Sequence, residues 1–412
     1  MFKSISFKNY KCFEEKETLK IKPITVLIGK NGSGKSAVAR LPLLLFESLF
    51  EGTKGKPIEL SAYEIVFGES FEDILFNKYA TRTLEFGIEL NGEGIDITIN
   101  AQIQNLPELK KQIFSSWSVT FNSEKNKDKF SLLWDGDDKN IGYIESPISD
   151  NTSEKGASIN FKGLIPTSRK PYNITNFTRA ITDSKFDINY LTAIRANTEP
   201  FYSKDYTYLN FENNGSSIPE LLYKHNLLLQ KVSNWFEKHL DGWQLETQTI
   251  KGNYFELLLK HKSNPSVKIN ITQTGLGFSQ VMPVIAAAYM VKAGDLFIIE
   301  EPEQHLHPAV HGDVAELLAL QAKKENAAFI VETHSKNFIL RLRRLVAEGK
   351  LMPSDVVIYW VDNEEMEGKS CLKEITIDAS GMVSQWPEGV FSEDLDEILE
   401  IRKAQRQKEN DQ

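Results

Sequence analysis

The stretch Gly29-Lys30-Asn31-Gly32-Ser33-Gly34-Lys35-Ser36 spells G-x-x-x-x-G-K-[ST], the pattern of a phosphate-binding loop. An apolar run, residues 24–28, precedes it, and a run with helical character, residues 37–50, follows it. In this strand–loop–helix context, backbone N–H groups and a helix N-terminus form an anion site. A chance glycine-rich turn is the alternative, and the flanking strand argues against it. The sequence therefore predicts nucleotide binding.

Four residues of this loop have distinct expected roles. Gly32 and Gly34 allow positive φ angles, so that the backbone can curl around a phosphate. Lys35 is expected to reach the β and γ phosphates, and the hydroxyl of Ser36 is expected to ligate Mg²⁺. ATP and Mg²⁺ are therefore the predicted cofactors.

Composition places the chain among ordinary soluble proteins. It has 412 residues, of which 41% are hydrophobic and 25% charged. No run approaches the ~20 apolar residues that span a bilayer. The N-terminal residues 1–6 alternate as a strand does and do not resemble a secretory leader. The sequence predicts a cytoplasmic protein with no membrane partner.

Charge and cysteine content narrow the function further. The net charge of −9 disfavours a dedicated nucleic-acid coat protein but leaves a local DNA-binding groove open. Cys12 and Cys371 are isolated, so neither a disulfide framework nor a cysteine zinc site is predicted.

The periodicity of the chain predicts two kinds of sheet. Strands at 2–8 and 24–28 surround the first loop, a helix covers 36–49, and residues 83–165 are typical of antiparallel sheet. A helical pattern covers 218–240, and strands follow near 244–250, 253–261 and 266–272. From residue 275 helices and strands alternate, which indicates a parallel sheet with helical crossovers. These elements are helix 277–292, strand 295–300, helix 308–324, strand 327–332, helix 336–347 and strand 355–361.

The predicted fold is α/β, with a mainly parallel core sheet flanked by helices, an antiparallel β lobe and a helical and β insertion. The phosphate loop and the second α/β half lie far apart in sequence, so one nucleotide-binding domain is split by a long insertion. The predicted units are an N-terminal half with the β lobe (1–165), the insertion (166–270), a C-terminal half (271–362) and a C-terminal extension (363–412).

Two carboxylates follow a fully apolar strand, residues 296–299. Ligands of parallel sheets bind beyond the carboxyl ends of the strands. If this strand lies beside the first strand, Glu300 approaches the Mg²⁺ held by Ser36. Glu301 then faces the γ phosphate and orients a water as general base. An ordinary acidic helix start is the alternative, which the presence of Lys35 disfavours.

His334 follows another apolar strand, residues 329–332, and is a candidate for sensing the γ phosphate. A structural histidine is the alternative, and geometry alone weighs the two evenly.

Residues 274–280, Thr-Gly-Leu-Gly-Phe-Ser-Gln, form a second glycine-rich turn that opens a helix. Because the phosphates near Lys35 already have a loop, this turn is expected to cap the nucleotide of another subunit. Its candidate residues are Gly275, Gly277, Ser279 and Gln280. A helix cap with flexible glycines is the alternative, since the pattern alone is weak.

Three histidines, His305, His307 and His311, have a spacing that admits a metal site. No sulfur ligand lies nearby, and Pro308 interrupts the geometry, so a loop and helix cap is the favoured interpretation.

The motifs at 29–36, 275–280, 300–308 and 332–335 together resemble the ABC-type ATPases of the SMC/RecF/OLD group. There they correspond to Walker A, signature, Walker B with D-loop, and switch histidine. Residues 190–195 and 386–391 resemble a bacterial subgroup of AAA-class ATPases that is often encoded beside phage-defence genes. Glu300 stands where many relatives carry aspartate. The roughly 80 residues after the switch strand show no Toprim-type acidic pattern, so an OLD-type nuclease is not expected.

The resemblance implies two ATP molecules sandwiched between two subunits. Each site would combine Lys35, Ser36, Glu300, Glu301 and His334 of one chain with Ser279 of the other. The leading hypothesis is an ATPase that forms at least a dimer and gates a separate nuclease or toxin in an antiphage system.

Two other functions stay open. A RecF-like repair ATPase would act directly on DNA, with Arg341, Arg343, Arg344 and Lys350 as candidate phosphate contacts. The alternative for those residues is a solvated helix face, which is favoured. A scaffold that holds nucleotide without hydrolysis is the third hypothesis.

Overall fold

The structure is a computed structural model that describes residues 1–92, 95–106, 111–122, 127–137, 141–145, 159–167, 172–205, 211–364, 368–386 and 400–403. Its strands are β1 (Phe2–Lys8), β2 (Glu17–Lys20), β3 (Ile24–Gly29), β4 (Ser61–Ala62), β5 (Ile65–Val66), β6 (Leu84–Gly92), β7 (Ile95–Leu106), β8 (Lys111–Asn122), β9 (Lys127–Trp134), β10 (Tyr143–Glu145), β11 (Phe161–Lys162), β12 (Ile165–Pro166), β13 (Ile188–Leu191), β14 (Tyr202–Ser203), β15 (Trp243–Thr249), β16 (Tyr254–His261), β17 (Asn264–Asn270), β18 (Leu296–Glu300), β19 (Ala328–Glu332), β20 (Val356–Glu364) and β21 (Lys369–Ile375). Its α-helices are α1 (Lys35–Phe46), α2 (Tyr172–Asp183), α3 (Ile218–Lys224), α4 (Asn226–His239), α5 (Leu276–Met290), α6 (Pro308–Glu325) and α7 (Lys336–Ala347).

A six-stranded sheet forms the centre of the fold. Its order is β13-β18-β19-β3-β20-β21, and only the edge strand β21 runs antiparallel. Every residue of β3, β18 and β19 is buried, as a parallel sheet covered on both faces requires. The predicted parallel sheet with helical crossovers is confirmed.

Alternate side chains of this sheet enter two separate cores. Leu27, Ile298 and Ile330 pack with α1 and the antiparallel lobe. Val26, Ile299 and Val331 pack with helices α3 to α7 on the opposite face. The period of two along each strand therefore decides which layer a residue stabilises. Among the described residues, no helix combines the length and apolar character needed to cross a membrane.

The antiparallel lobe is a seven-stranded sheet of order β10-β9-β8-β7-β6-β1-β2. Its inner face buries Trp117, whose indole Nε1 donates a 2.9 Å hydrogen bond to the Leu164 carbonyl oxygen. The antiparallel region predicted at 83–165 is confirmed where the structure describes it. The lobe also takes in β1, so the chain enters the lobe before it enters the core sheet.

The segment 166–270 holds more than a separate insertion. As predicted, it forms helices over 218–239, with a break at His225, and the strands β15, β16 and β17. However, β13 from the same segment joins the core sheet beside β18. Similarly, β21 from the predicted C-terminal extension closes the other edge of that sheet. Residues 387–391 of the second subgroup motif lie outside the described residues.

Candidate functional site

Three chain segments meet where the parallel strands of the core sheet have their carboxyl ends, a region called the sheet edge below. The loop 29–36 follows β3, Glu300 and Glu301 follow or end β18, and Glu332 ends β19 just before His334. Because these three strands are parallel neighbours, their carboxyl ends lie together. The site is thus assembled from both halves of the sequence.

The phosphate loop has the backbone that its glycines predict. Gly32 and Gly34 adopt φ angles of 77° and 99°, in the left-handed region. A Cβ at Gly34 would collide with Cys12 Sγ and lie 3.1 Å from the ring of Phe13, and the left-handed φ already disfavours a side chain there. The hydroxyl of Ser33 is buried and has no hydrogen-bond partner among the described residues. The loop is therefore preformed around a polar interior.

Lys35 is buried beneath this loop, with 4% of its surface exposed. Its Nζ donates to the carbonyl oxygens of Gly29 at 3.0 Å and Lys30 at 2.7 Å. Burial lowers the pKa of Lys35, and the carboxylates of Glu332 and Glu301 oppose that shift. The ammonium group is held inside the turn of the loop, where a phosphate would meet it.

Ser36 contacts a different carboxylate from the predicted one. The expectation that the strand of Glu300 lies beside the first strand is wrong, because β19 lies between β18 and β3. The Ser36 hydroxyl donates to Glu332 Oε1 at 3.0 Å. Burial, and next the charge of Glu300, raise the pKa of Glu332 to about 7. Glu332 Oε2 is buried without a partner among the described residues.

Glu300 is engaged by an arginine on the first helix. Arg40 Nε and Nη2 donate to the two carboxylate oxygens of Glu300 at 2.6 and 2.8 Å. The Arg40 guanidinium also lies over the ring of Tyr190, at 5.7 Å from its centroid. A bidentate ion pair of this kind is strong and directional. The carboxylate of Glu300, which the sequence predicts as a metal ligand, is therefore paired with the Arg40 guanidinium in this structure.

Glu301 adopts an unusual backbone conformation. Its φ of 44° lies in the left-handed region, which residues with a Cβ rarely adopt. The Glu301 N–H donates to the carbonyl oxygen of Glu332 at 2.7 Å. Its carboxylate raises the pKa of both Lys35 and His334 against the effect of burial. The structure therefore brings Glu301, Lys35 and His334 within electrostatic range of one another.

His334 lies on the solvent side of this cluster. Its backbone N–H donates to Glu303 Oε1 at 3.1 Å, and the Thr333 hydroxyl donates to the same oxygen. Partial burial, and next the charge of Lys35, lower the pKa of the His334 imidazole. The ring is therefore neutral near pH 7 and can accept or donate a hydrogen bond.

The second glycine turn lines a groove that is separate from the phosphate loop. Gly275 precedes α5, and the Ser279 hydroxyl donates to the Leu276 carbonyl oxygen at 2.9 Å, within its own helix. Gln280 is buried in the same helix. Gly275 and Gly277 line a groove of about 440 Å³ with residues 305–307, and no phosphate-loop residue lines it. A Cβ at Gly277 would lie 3.0 Å from the His305 carbonyl oxygen.

The three histidines serve the loop and the helix that follows it. His307 caps α6 by accepting from the Ala309 N–H, as the favoured interpretation predicted. The two ring nitrogens of His311 lie 2.8 Å from Ser335 Oγ and 3.1 Å from the Leu306 carbonyl oxygen. His311 therefore links the loop after β18 to the loop after β19.

Three side chains of the site are absent from the predicted set. Glu332 has the same signal as Glu300, since it too ends an apolar strand. Arg40 lies four residues after Ser36, hence on the same face of α1. Tyr190 belongs to β13, whose place in the sheet no local pattern indicates.

Residues 1–339 match the family described as AAA ATPase domain. The chain belongs to this family. It is an AAA ATPase, an enzyme that hydrolyses ATP. Residues 351–401 match a second family, described as a protein of unknown function (DUF3696). No curated protein matches the chain.

The structure of this AAA ATPase is similar to solved structures of SMC head domains. One bound to the C-winged helix domain of ScpA is 13% identical, with coverage of 91% of this chain and 97% of that chain and a TM-score of 0.45. One from Thermotoga maritima is 12% identical, with coverage of 90% and 98% and a TM-score of 0.43. One with an extended coiled coil, bound to the C-terminal domain of ScpA derived from Pyrococcus furiosus, is 13% identical, with coverage of 98% and 99% and a TM-score of 0.45.

The residues at the sheet edge fit a magnesium nucleotide. Hydroxyl and carboxylate oxygens are the ligands that Mg²⁺ prefers, and the Ser36–Glu332 pair supplies both. The unpartnered Glu332 Oε2 and Ser33 Oγ are buried beside the loop, where an isolated polar atom is unfavourable. The positive charge of Lys35 complements phosphate.

We predict that Glu332→Gln and Ser36→Ala each weaken magnesium-dependent ATP binding about 10- to 100-fold, because each removes one side of the Ser36–Glu332 pair. Titration of ATP with and without Mg²⁺ measures this effect. Glu89→Gln is the matched control, since Glu89 accepts from the Ser4 hydroxyl at 2.7 Å in the antiparallel lobe. Unchanged binding by Glu332→Gln together with loss in Glu300→Gln would instead identify Glu300 as the ligand.

Proposed function

We propose that this AAA ATPase is a nucleotide-dependent switch. Two copies close around two shared ATP molecules, hydrolysis reopens them, and the change gates a separate effector, a nuclease or toxin, in an antiphage system. A cytoplasmic location is part of this proposal. The observation that carries it is the separation of the two glycine turns, one at Lys35 and one on the groove of Gly275 and Gly277.

The residues at the sheet edge divide the hydrolytic work. Lys35 and the loop N–H groups bind the phosphates, and Ser36 with Glu332 would hold Mg²⁺, which would supply neutralisation of the phosphate charge. Glu300 positions Ser36 indirectly, because it binds Arg40 on the same helix. Glu301 accepts a proton from the attacking water, because it is the carboxylate that lies near both Lys35 and His334. The neutral imidazole of His334 contacts the γ phosphate and responds to its loss.

The geometry of the second turn favours a site shared between copies. The start of α5 presents Leu276 with 55% of its surface exposed, although a large apolar residue gains from burial. The groove next to it holds Gly277 and His305 but none of the residues that bind phosphate in the same chain. A second copy supplies both the missing nucleotide and a cover for this surface.

The role in phage defence rests on resemblance. Residues 190–195 and 386–391 resemble motifs of the ATPase subgroup that is often encoded beside such genes. The first of these motifs contacts the ATPase site directly, through Tyr190 and Arg195. An effector is therefore expected to be a separate chain that reads the state of the ATP site. The genes next to this one identify the chain to test.

Three of the four candidate residues for direct DNA binding are in ion pairs, and the fourth is hydrogen-bonded to the main chain. Arg341 Nη1 lies 2.8 Å from Asp313 and 2.6 Å from Glu316. Both Arg344 and Lys350 pair with Glu348, at 2.7 and 2.9 Å. Arg343 donates to the Gly381 carbonyl oxygen. Each of these side chains would have to leave an intramolecular partner before it contacts a DNA phosphate, which favours the switch over this alternative.

The Glu301→Gln variant should bind ATP normally but lose turnover by about 10²- to 10⁴-fold, because it keeps the shape and removes the base. Phosphate release measures turnover, and a fluorescent ATP analogue measures binding. Wild-type turnover by this variant would exclude Glu301 as the base.

Mixing two inactive variants tests the shared site. Lys35→Ala removes the phosphate contact in its own chain. Ser279→Asp places a negative charge where the proposal puts the partner's nucleotide, and a melting curve checks that this variant folds. An equal mixture should recover about a quarter of wild-type turnover, since half the dimers are mixed and each mixed dimer keeps one intact site. If the mixture stays as inactive as its components, the two turns do not serve one site.

The double variant Arg344→Ala/Lys350→Ala should leave any DNA affinity and its salt dependence unchanged, because both side chains are already paired. Binding of a fluorescent duplex over a range of salt concentrations measures this. A fall in the slope of log K against log[salt] by about 0.9 per lost contact would support the repair function instead.

A further inference from the structure

Arg195 is a buried cation next to the end of β18. Only 5% of its surface is exposed. Its Nη2 donates to the main-chain carbonyl oxygens of Glu300 at 2.8 Å and Glu301 at 3.0 Å. Its Nε and Nη1 have no hydrogen-bond partner among the described residues. Burying a guanidinium with two unpartnered nitrogens, which carry three N–H groups, is unfavourable for stability, so a purely structural role explains it poorly.

The two carbonyl groups that Arg195 holds flank the left-handed residue of the site. The φ of 44° at Glu301 costs conformational energy and persists only where surrounding contacts fix it. On its amino side, the Glu301 N–H donates to the Glu332 carbonyl oxygen at 2.7 Å. On its carboxyl side, the Glu301 carbonyl oxygen accepts from Arg195 Nη2 at 3.0 Å and from the Gln304 N–H at 3.1 Å. The backbone of Glu301 is therefore pinned from both sides.

The charges around Arg195 keep it cationic. Burial lowers its pKa to about 10, while the carboxylates of Glu303, Glu301 and Glu300 oppose that effect. The guanidinium is thus protonated at neutral pH, and its N–H groups remain strong donors to the carbonyl oxygens.

We propose that Arg195 is a positioning residue for ATP hydrolysis, which fixes the left-handed turn at Glu301 and so directs the Glu301 carboxylate toward the attacking water. The inference rests on the proposed role of Glu301 as general base. It also gives a function to the segment 190–195, which supplies Tyr190 beside Arg40 and Arg195 beside the strand end. A carboxylate displaced by about 1 Å loses on the order of 10²-fold in rate without losing substrate affinity.

The variant Arg195→Met tests this role with and without nucleotide. In nucleotide-free protein, hydrogen exchange at the amides of Glu301 and Gln304 should become at least about 10-fold faster, since the turn opens more often. The Gln304 N–H is a useful second probe because it donates to the Glu301 carbonyl oxygen at 3.1 Å. The kcat should fall about 10- to 100-fold, while ATP affinity stays within about twofold. Arg195→Lys, which retains the charge, should recover part of kcat.

Arg341→Met is the matched control, because Arg341 is also largely buried and makes two hydrogen bonds, to Asp313 and Glu316. It should lower the melting temperature but leave kcat and exchange at Glu301 unchanged. The proposal is overturned if Arg195→Met lowers only the melting temperature and keeps wild-type kcat and exchange. If Arg195→Met does not fold, Arg195→Gln, whose amide is too short to reach as the guanidinium does, carries the same expectations.

The test of Arg195 as a positioning residue can be distinguished from the test of Glu301 as the general base. If Glu301→Gln hydrolyses ATP at the wild-type rate, the base assignment fails and the positioning proposal fails with it. If Glu301→Gln is inactive while Arg195→Met keeps wild-type kcat and exchange, Glu301 remains the base and only the role of Arg195 is wrong.

Discussion

Two buried carboxylates placed side by side govern the chemistry at the edge of the core sheet. The register of β18 and β19 pairs Glu300 with Glu332. Burial, and next the repulsion from the like charge of Glu300, raise the pKa of Glu332 to about 7. The site tolerates the pair because Arg40 neutralises Glu300 and the Ser36 hydroxyl donates to Glu332. Both partners, Arg40 and Ser36, belong to α1. An ion pair and a hydrogen bond therefore hold the start of this helix against the strand ends.

The same edge is connected mechanically to the groove of the second glycine turn. Glu303, in the loop after β18, accepts from the backbone of His334 at 3.1 Å. His311, on α6, bridges the two loops through Ser335 and the Leu306 carbonyl oxygen. His305, which immediately precedes Leu306 in the chain, has its carbonyl oxygen next to Gly277 at the start of α5. A movement at His334 therefore has a continuous path of contacts to the surface proposed to meet a second copy. Such a path is consistent with coupling between sites, which variants along it can measure.

Local sequence was enough to predict the elements and the phosphate loop, but not the order of the strands. The apolar runs at 24–28, 296–299 and 329–332 all have the burial that their composition requires. Periodicity does not say which run lies between the others, and that order decides whether Ser36 meets Glu300 or Glu332. For the same reason the sequence assigns residues 188–191 to the insertion, since a four-residue strand does not indicate which strands it will pair with. The conformation of Glu301 also depends on tertiary contacts, because nothing in its own residue type favours a positive φ.

The arginines on either side of β18 act on different parts of the same strand end. Arg40 binds the carboxylate of Glu300, whereas Arg195 binds the carbonyl oxygens of Glu300 and Glu301. The negative charge of Glu300 is already neutralised by the Arg40 guanidinium, which disfavours Glu300 as the direct ligand of a cation. Glu332 has one oxygen bonded to a neutral hydroxyl and the other unpartnered among the described residues, so no ion pair occupies its carboxylate. We therefore expect Glu300 to organise the site through Arg40 and leave metal binding to Glu332 and proton transfer to Glu301.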